Sequence, residues 1–279
     1  MKNDYIKITE LKEKQKLLLK ILSQFHDFCE EYNLVYNIFG GTMLGAVRHK
    51  GIIPWDDDID VTMPRHDYER FINLMCEKKN DNFELYVFPR KNYIYPYAKL
   101  GMKGTVLYET EVKSKYNKLS LNIDIFPNDG YPEDENILDE YNLYEQKIIM
   151  CAYKLKTPRN PIKLIVFLVR KLNASIRGVN YYLKKQIEII SKKSIEESEY
   201  IICQGAGWGK KGKLKKDVYY DRVLYDFNGL KVWGIKDYHE HLSNLYGDYM
   251  TPPPVEKQIC PHDSTLFISK SIYNKYIKE

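Results

Sequence analysis

No apolar run in this 279-residue chain approaches the ~20 residues that a membrane-crossing helix needs; the longest candidate is Leu164 to Val169. A spanning helix is thereby excluded, and the chain is expected to be soluble. The N-terminus, MKNDYIKITELKEK, has no apolar signal core, so the expected compartment is the cytoplasm. Cysteine is sparse as well. The five, Cys29, Cys76, Cys151, Cys203 and Cys260, are odd in number, far apart and without a Cys-x-x-Cys pair, which argues against a disulfide framework. They read as reduced thiols, most of them in the core.

Acid is nearly missing from one long stretch. Between Lys154 and Lys193, eleven Lys or Arg accompany a single acid, Glu188, a local +10 in a chain of net charge +5, so the remainder sums to about −5. Either these are solvated helix faces, or Lys163, Arg170, Lys171, Arg177, Lys184 and Lys185 face an anionic partner.

Acid is concentrated elsewhere. In Gly40 to Asp60, GGTMLGAVRHKGIIPWDDDID, the spacing by two puts Asp56, Asp58 and Asp60 on one face of a strand and Asp57, Ile59 and Val61 on the other. Two carboxylates ~5 Å apart repel by roughly 3 kcal/mol at an effective dielectric near 20, so the cluster favours a bound cation or a raised pKa. Hard oxygen donors suit Mg²⁺ or Mn²⁺, which bind through one or two carboxylates and substrate phosphates. A calcium loop fits less well: Val61 stands where its sixth position needs glycine, and Asp67 where its twelfth needs glutamate.

Ahead of the acids, a strand from Leu34 to Phe39 is expected to run into a turn at Gly40 and Gly41, with Thr42 capping a short helix through Val47. Glycines let backbone approach a phosphate, and a helix N-terminus offers it free N–H donors. Arg48, His49 and Lys50 follow, with Arg48 the strongest candidate to hold diphosphate oxygens. Lys99, in YPYAKL, is a further candidate for a phosphate contact, or a solvent-facing lysine.

A Gly-Gly turn followed by Asp-x-Asp on a strand resembles the nucleotidyltransferase superfamily signature. More narrowly, GTMLGAVRHKGIIPWDDDIDV resembles the hallmark of the LicD family, with support from LNIDIFPNDG at Leu121 to Gly130 and LYGDYMTPPP at Leu245 to Pro254. There are two departures: sixteen residues separate Gly41 from Asp58, longer than in the broad superfamily, and VWGIK at Val232 to Lys236 stands where relatives often carry a proline. The resemblance implies a mixed α/β nucleotidyltransferase-type fold that transfers phosphocholine from a CDP-alcohol donor to a cell-surface glycan precursor, of the kind found in lipopolysaccharide, teichoic acid or capsule. It further implies Asp58, Asp60 and Asp124 as catalytic metal ligands for Mg²⁺ or Mn²⁺; Gly40, Gly41, Thr42, Arg48, Lys99 and Asp56 around them are the expected substrate-binding residues. Asp124 could alternatively accept the proton of the attacking hydroxyl. For an enzyme acting on a lipid-linked glycan, the anionic partner of the basic segment is the inner membrane leaflet. Nucleic acid is not an expected partner, because the acidic site repels a phosphate backbone wherever no metal intervenes.

Along the chain, residues 1–130 read as the catalytic core, 131–200 as a basic helical subdomain, and 201–279 as a segment completing the core and substrate site. Thr9 is expected to cap a helix ending near Asn33, and Pro64 to open one running to about Cys76. Strands are expected at Phe83 to Phe88, Tyr93 to Gly101, Thr105 to Glu109 and Leu121 to Phe126, a hairpin around Asn228-Gly229, and a last helix at Tyr238 to Tyr246. The loop GAGWGKKG, Gly205 to Gly212, lacks the Walker ending and either borders the site or is merely flexible. The 25 tyrosines supply material for an aromatic cage around a quaternary ammonium, with no position singled out. Two rival readings remain: a nucleotide-sugar glycosyltransferase using Asp-x-Asp, and a non-catalytic module binding choline or anionic glycan.

Overall fold

A computed structural model describes residues 4–78 and 80–278. Strand β1 (Tyr5–Ile8) leads into helix α1 (Leu11–Glu31), whose Leu17, Leu18, Ile21, Leu22, Phe25 and Cys29 recur at helical spacing and are all buried. The helix begins after Glu10 rather than Thr9, and no side chain caps it. Next come β2 (Asn37–Ile38), α2 (Gly40–His49), β3 (Asp60–Pro64), α3 (Arg65–Glu77), β4 (Phe83–Tyr86), β5 (Ala98–Met102), β6 (Thr105–Glu109), β7 (Lys118–Leu119) and β8 (Asn122–Gly130). Two long helices follow, α4 (Asn136–Ala152) and α5 (Pro161–Ile190). The chain then returns through β9 (Tyr200–Ile202), β10 (Leu214–Lys215), α6 (Lys216–Tyr220), the hairpin β11 (Arg222–Phe227) and β12 (Leu230–Ile235), α7 (His239–Tyr246), β13 (Ser264–Ser269) and α8 (Lys270–Tyr276). The fold is mixed α/β.

Strand β8 organises the main sheet. Along one edge it pairs parallel with β3; along the other, its first half pairs antiparallel with β5 and its end with β9. Pro127 lies inside this strand, beyond the Phe126 end expected from sequence. The Asp124 N–H points to β3, where it donates to Ile59 O at 3.0 Å, so by alternation the Pro127 nitrogen faces the other edge, in the gap between β5 and β9. A missing donor costs nothing there. Ile59, Val61, Met63, Ile123 and Ile125 from β8, β3 and the loop before it are fully buried with the apolar face of α1 in one core.

A second sheet, in the order β1-β13-β6-β7, joins the ends of the chain to its middle, with Leu266 opposite both Ile8 and Leu107. Strands β1 and β13 are not apparent in the sequence pattern. Other boundaries also move. The Leu34 strand shrinks to Asn37–Ile38, that at Tyr93 starts only at Ala98, and Pro64 is the N-cap rather than the first residue of α3. Helix α5 opens on Pro161 with the Asn160 side chain accepting the Ile162 and Lys163 N–H groups, and breaks at Gly178, where φ is 75°. All five cysteines are free, but only Cys29 and Cys203 are buried, fewer than expected.

Candidate active site

The loop that carries the aspartates is pinned from α1. The Gln15 amide donates to the carbonyls of Ile53 (3.2 Å) and Asp56 (2.7 Å), and the Asp56 N–H closes a turn onto Ile53 O at 2.8 Å. These bonds occupy backbone groups that a ladder would use, and the strand starts only at Asp60. The alternation still sorts the acids. Asp57 turns toward α1 and the C-terminal segment, where it is buried between Lys14 and His262, with Nδ1 of the histidine 2.7 Å away. Burial pushes the Asp57 carboxyl up, but His262 and Lys14 more than offset it and hold it at about 2. The same bond lifts His262 to about 9.

Asp56 and Asp60 turn the opposite way, toward the N-terminus of α2. A Cβ on Gly41 would come within 3.1 Å of Asp56 Oδ2, and one on Gly40 within 3.7 Å of Asp60 Oδ2. Among the described residues Asp56 and Asp60 have no salt-bridge partner, and Asp58 has only His262 Nδ1 at 3.7 Å. Burial and mutual repulsion raise all three carboxyls. Asp58 is pushed up to about 8 by burial and by Asp56; Asp60 is raised well above the carboxylate range by burial, then Asp58 and Asp124; Asp56 is raised chiefly by burial.

The paired glycines form the first turn of α2 rather than a turn before it, with Gly40 at φ 54°. Thr42 is therefore not the cap. It is buried, and its hydroxyl accepts the Asp60 N–H at 2.8 Å, fastening α2 to β3. The N-cap is Phe39, which has no side-chain acceptor, so the first amides of α2 are left as donors beside the carboxylates. Against the same turn lie Tyr246 from α7 and Trp208 from the GAGWGKKG loop, which thus borders the site; their OH and Nε1 would be 3.6 Å and 4.0 Å from a Cβ on Gly40.

The parallel register of β3 and β8 sets Asp124 directly opposite Asp60. On its other side, β5 sets Lys99 opposite Asp124, and the Lys99 ammonium donates to both carboxylate oxygens, at 2.6 and 2.8 Å. Lys99 is therefore not the solvent-facing lysine of the alternative reading: it is 6% exposed and already engaged. Burial favours its neutral form, yet Asp124 and Glu109 keep its pKa above the ordinary value. Arg48 stands at the far end of α2, about 12 Å along the axis from Gly40. Its Nη1 donates to Tyr249 O at 2.7 Å and its guanidinium lies 6.0 Å from the Trp55 ring centre. The VWGIK departure lies in β12, with Val232 and Ile235 in the core.

A cavity of about 380 Å³ opens beside Asp58 and Asp124, walled by Tyr95, Tyr97, Tyr153 and Glu109 among others. Tyr95 donates to Glu109 Oε1 at 2.8 Å, and Glu109 Oε2 is buried without a hydrogen-bond partner. Lys14, Gln15, Asp57, His262 and these tyrosines are absent from the sequence-based site. One signal was available: Tyr93, Tyr95 and Tyr97 alternate at period two in front of Lys99. Nothing local marks Lys14 or His262, which meet Asp57 only through folding.

Among the described residues no three His, Cys, Asp or Glu side chains are placed to hold a metal ion by themselves. The donor set nonetheless fits a hard divalent cation. It is all carboxyl oxygen, its raised carboxyls are what a cation in place of their protons would relieve, and Mg²⁺ is bound by one or two carboxylates completed by water and substrate phosphate rather than by an all-protein cage.

Residues 33–174, which include the acidic loop, β3 and β8, match the nucleotidyltransferase domain described as LicD/FKTN/FKRP. The chain is 32% identical to the lipopolysaccharide cholinephosphotransferase LicD of Haemophilus influenzae over 275 residues, covering 92% of this chain and 98% of that protein. It is also similar to an uncharacterised protein of Rickettsia prowazekii, 37% identical over 148 residues, 52% of this chain and 51% of that one. A match that runs from end to end of one relative, and through every aspartate described above, makes the chain a member of the LicD family.

Proposed function

We propose that the protein transfers phosphocholine from CDP-choline to a hydroxyl of a lipid-linked cell-surface glycan, working in the cytoplasm at a membrane surface. The observation that carries this reading is the uncompensated acid: Asp56, Asp58 and Asp60 with at most one distant histidine partner, beside the uncapped N-terminus of α2. The full-length likeness to a lipopolysaccharide cholinephosphotransferase supports the choice of headgroup and acceptor.

In this reading Asp58, Asp60 and Asp124 hold Mg²⁺ or Mn²⁺. The ion, when bound, polarises the diphosphate and neutralises the departing cytidine monophosphate. The first amides of α2 at Gly40 and Gly41 orient the phosphate. The acceptor hydroxyl attacks the phosphorus that bears choline, a phosphodiester forms, the bond to cytidine monophosphate breaks, and the hydroxyl's proton leaves to solvent or with the cytidine monophosphate. Lys99 donates to both oxygens of Asp124 and fixes the orientation of its carboxylate, so in this reading Asp124 serves as ligand rather than base.

The headgroup has its own place in this scheme. A trimethylammonium group has no N–H to donate and is recognised by aromatic faces and nearby negative charge. The cavity beside Asp58 offers Tyr95, Tyr97 and Tyr153 with the unpartnered Glu109 oxygen. The test is cytidine monophosphate release with Mg²⁺ from CDP-choline, CDP-ribitol and CDP-glycerol in turn. Choline is expected to be preferred, and Tyr153→Ala to raise KM for CDP-choline while leaving CDP-glycerol unaffected. A glycosidic rather than a phosphodiester product would favour the glycosyltransferase instead, and donor binding indifferent to EDTA would favour a non-catalytic module.

A further inference from the structure

Gly178 divides α5 into two stretches of opposite character. Beyond it, Val179, Tyr182, Leu183, Gln186, Ile189 and Ile190 are buried, most of them in cores shared with α4. Before it, Ile162, Ile165, Val166, Val169, Leu172 and Ile176 are 46–75% exposed. At 100° per residue these six fall in a single stripe along the helix. Lys163, Arg170 and Arg177, seven residues apart, run in a row down one border of that stripe. No acid occurs between Glu145 and Glu188. Apolar surface on this scale marks an interaction site, and among the described residues no helix is long and apolar enough to cross a membrane.

We propose that residues 161–177 form an interfacial helix that lies in the surface of an anionic bilayer, with the apolar stripe among the acyl chains and the Lys163, Arg170 and Arg177 row at the lipid phosphates. An apolar stripe bordered by cations is what such a surface takes up. A second copy of the chain is the poorer occupant. Antiparallel stripe-to-stripe packing would bring the two basic rows together, with no acid nearby on the helix to offset them. The basic charge alone points to an anionic partner; the exposed apolar stripe adds the insertion surface. The proposal draws on the functional reading only for its purpose, since a lipid-linked acceptor must be met at a membrane.

The test is flotation of the full-length protein with phosphatidylcholine vesicles, with and without phosphatidylglycerol. Wild type is expected to float with the anionic vesicles. Combined Ile165→Glu, Val169→Glu and Leu172→Glu are expected to abolish flotation at every salt concentration, and Lys163→Glu with Arg170→Glu and Arg177→Glu to weaken it at least about tenfold. Ile165→Ser with Leu172→Ser is a gentler pair should the glutamates disturb folding, which circular dichroism reports. Failure of wild type to float, or flotation untouched by the apolar changes, overturns the proposal. So does a dimer in sedimentation that the glutamate variant dissociates. Cytidine monophosphate release on detergent-dispersed acceptor is measured separately. If it is absent while flotation holds, the functional reading fails and the membrane helix stands.

Discussion

Two sets of aspartates share the β3–β8 pair and the loop in front of it, and they are treated oppositely. Asp57, Asp124 and Asp129 each have a cation in place: Lys14 and His262, Lys99, and Arg65, whose Nε and Nη2 reach the two Asp129 oxygens at 2.7 and 2.6 Å. Asp56, Asp58 and Asp60 lie a few residues away with only His262 at 3.7 Å from Asp58. The chain can supply a cation to a buried or half-buried acid, since it does so three times over. Withholding one from the second set leaves these carboxyls crowded, and burial with the neighbouring acids raises all three above the ordinary carboxylate range. That cost makes sense for acids whose counter-charge arrives from outside.

The sharpest way to break this contrast is to remove one acid from the uncompensated set. Asp58→Asn or Asp60→Asn is expected to lower turnover at least about 10³-fold, on the scale of a lost transition-state contact. Thermal stability in EDTA should stay equal or rise, because repulsion is relieved. A melting temperature that fell instead would move these residues into the structural set. The opposite outcome is expected of Arg65→Met, which leaves Asp129 buried and unpaired. Breaking a buried pair costs about 3 kcal/mol, to be read from urea unfolding.

The contrast was half legible in the sequence. Spacing by two separates Asp56 and Asp60, beside the start of α2, from Asp57, although only Asp60 belongs to the strand; Asp58 lines the same cavity as Asp57 and faces the same histidine. Extended backbone alternates whether or not it is laddered. The partners were not legible. Lys14 and His262 lie 43 and 205 residues from Asp57, and surface lysines and histidines carry no mark of what they will meet. Lys99 was noticed, but its partner depended on β5 lying beside β8, a strand order that no local pattern specifies. The glycines are visible in the sequence, but the structure puts them one turn further on, inside the helix. Gly-Gly is a breaker by propensity, yet here the positive φ of Gly40 is the entry into α2, and Thr42, which looked like a cap, is spent on holding β3.

A smaller effect tests the compensated set at the site itself. Lys14→Met removes a partner that is 12% exposed from an Asp57 that keeps His262, so the loss is expected to be about 1–2 kcal/mol, well below that at Arg65. Differential denaturation at neutral pH would measure it. Turnover should fall only as far as the Asp56–Asp60 loop loosens.

The smallest expected change is the most discriminating. A ligand present at ten times its Kd stabilises by about 1.4 kcal/mol, which for a chain of this size raises Tm by roughly 3 °C. Adding Mg²⁺ should therefore produce a rise of that order in wild type. Lys14→Met should show the same rise from a lower baseline, because Asp57 is not one of the proposed ligands. Asp58→Asn and Asp60→Asn should show none, their baseline in EDTA being already as high as that of wild type. A shift surviving in both asparagine variants would mean that the ion binds elsewhere, and the uncompensated acids would then need another explanation.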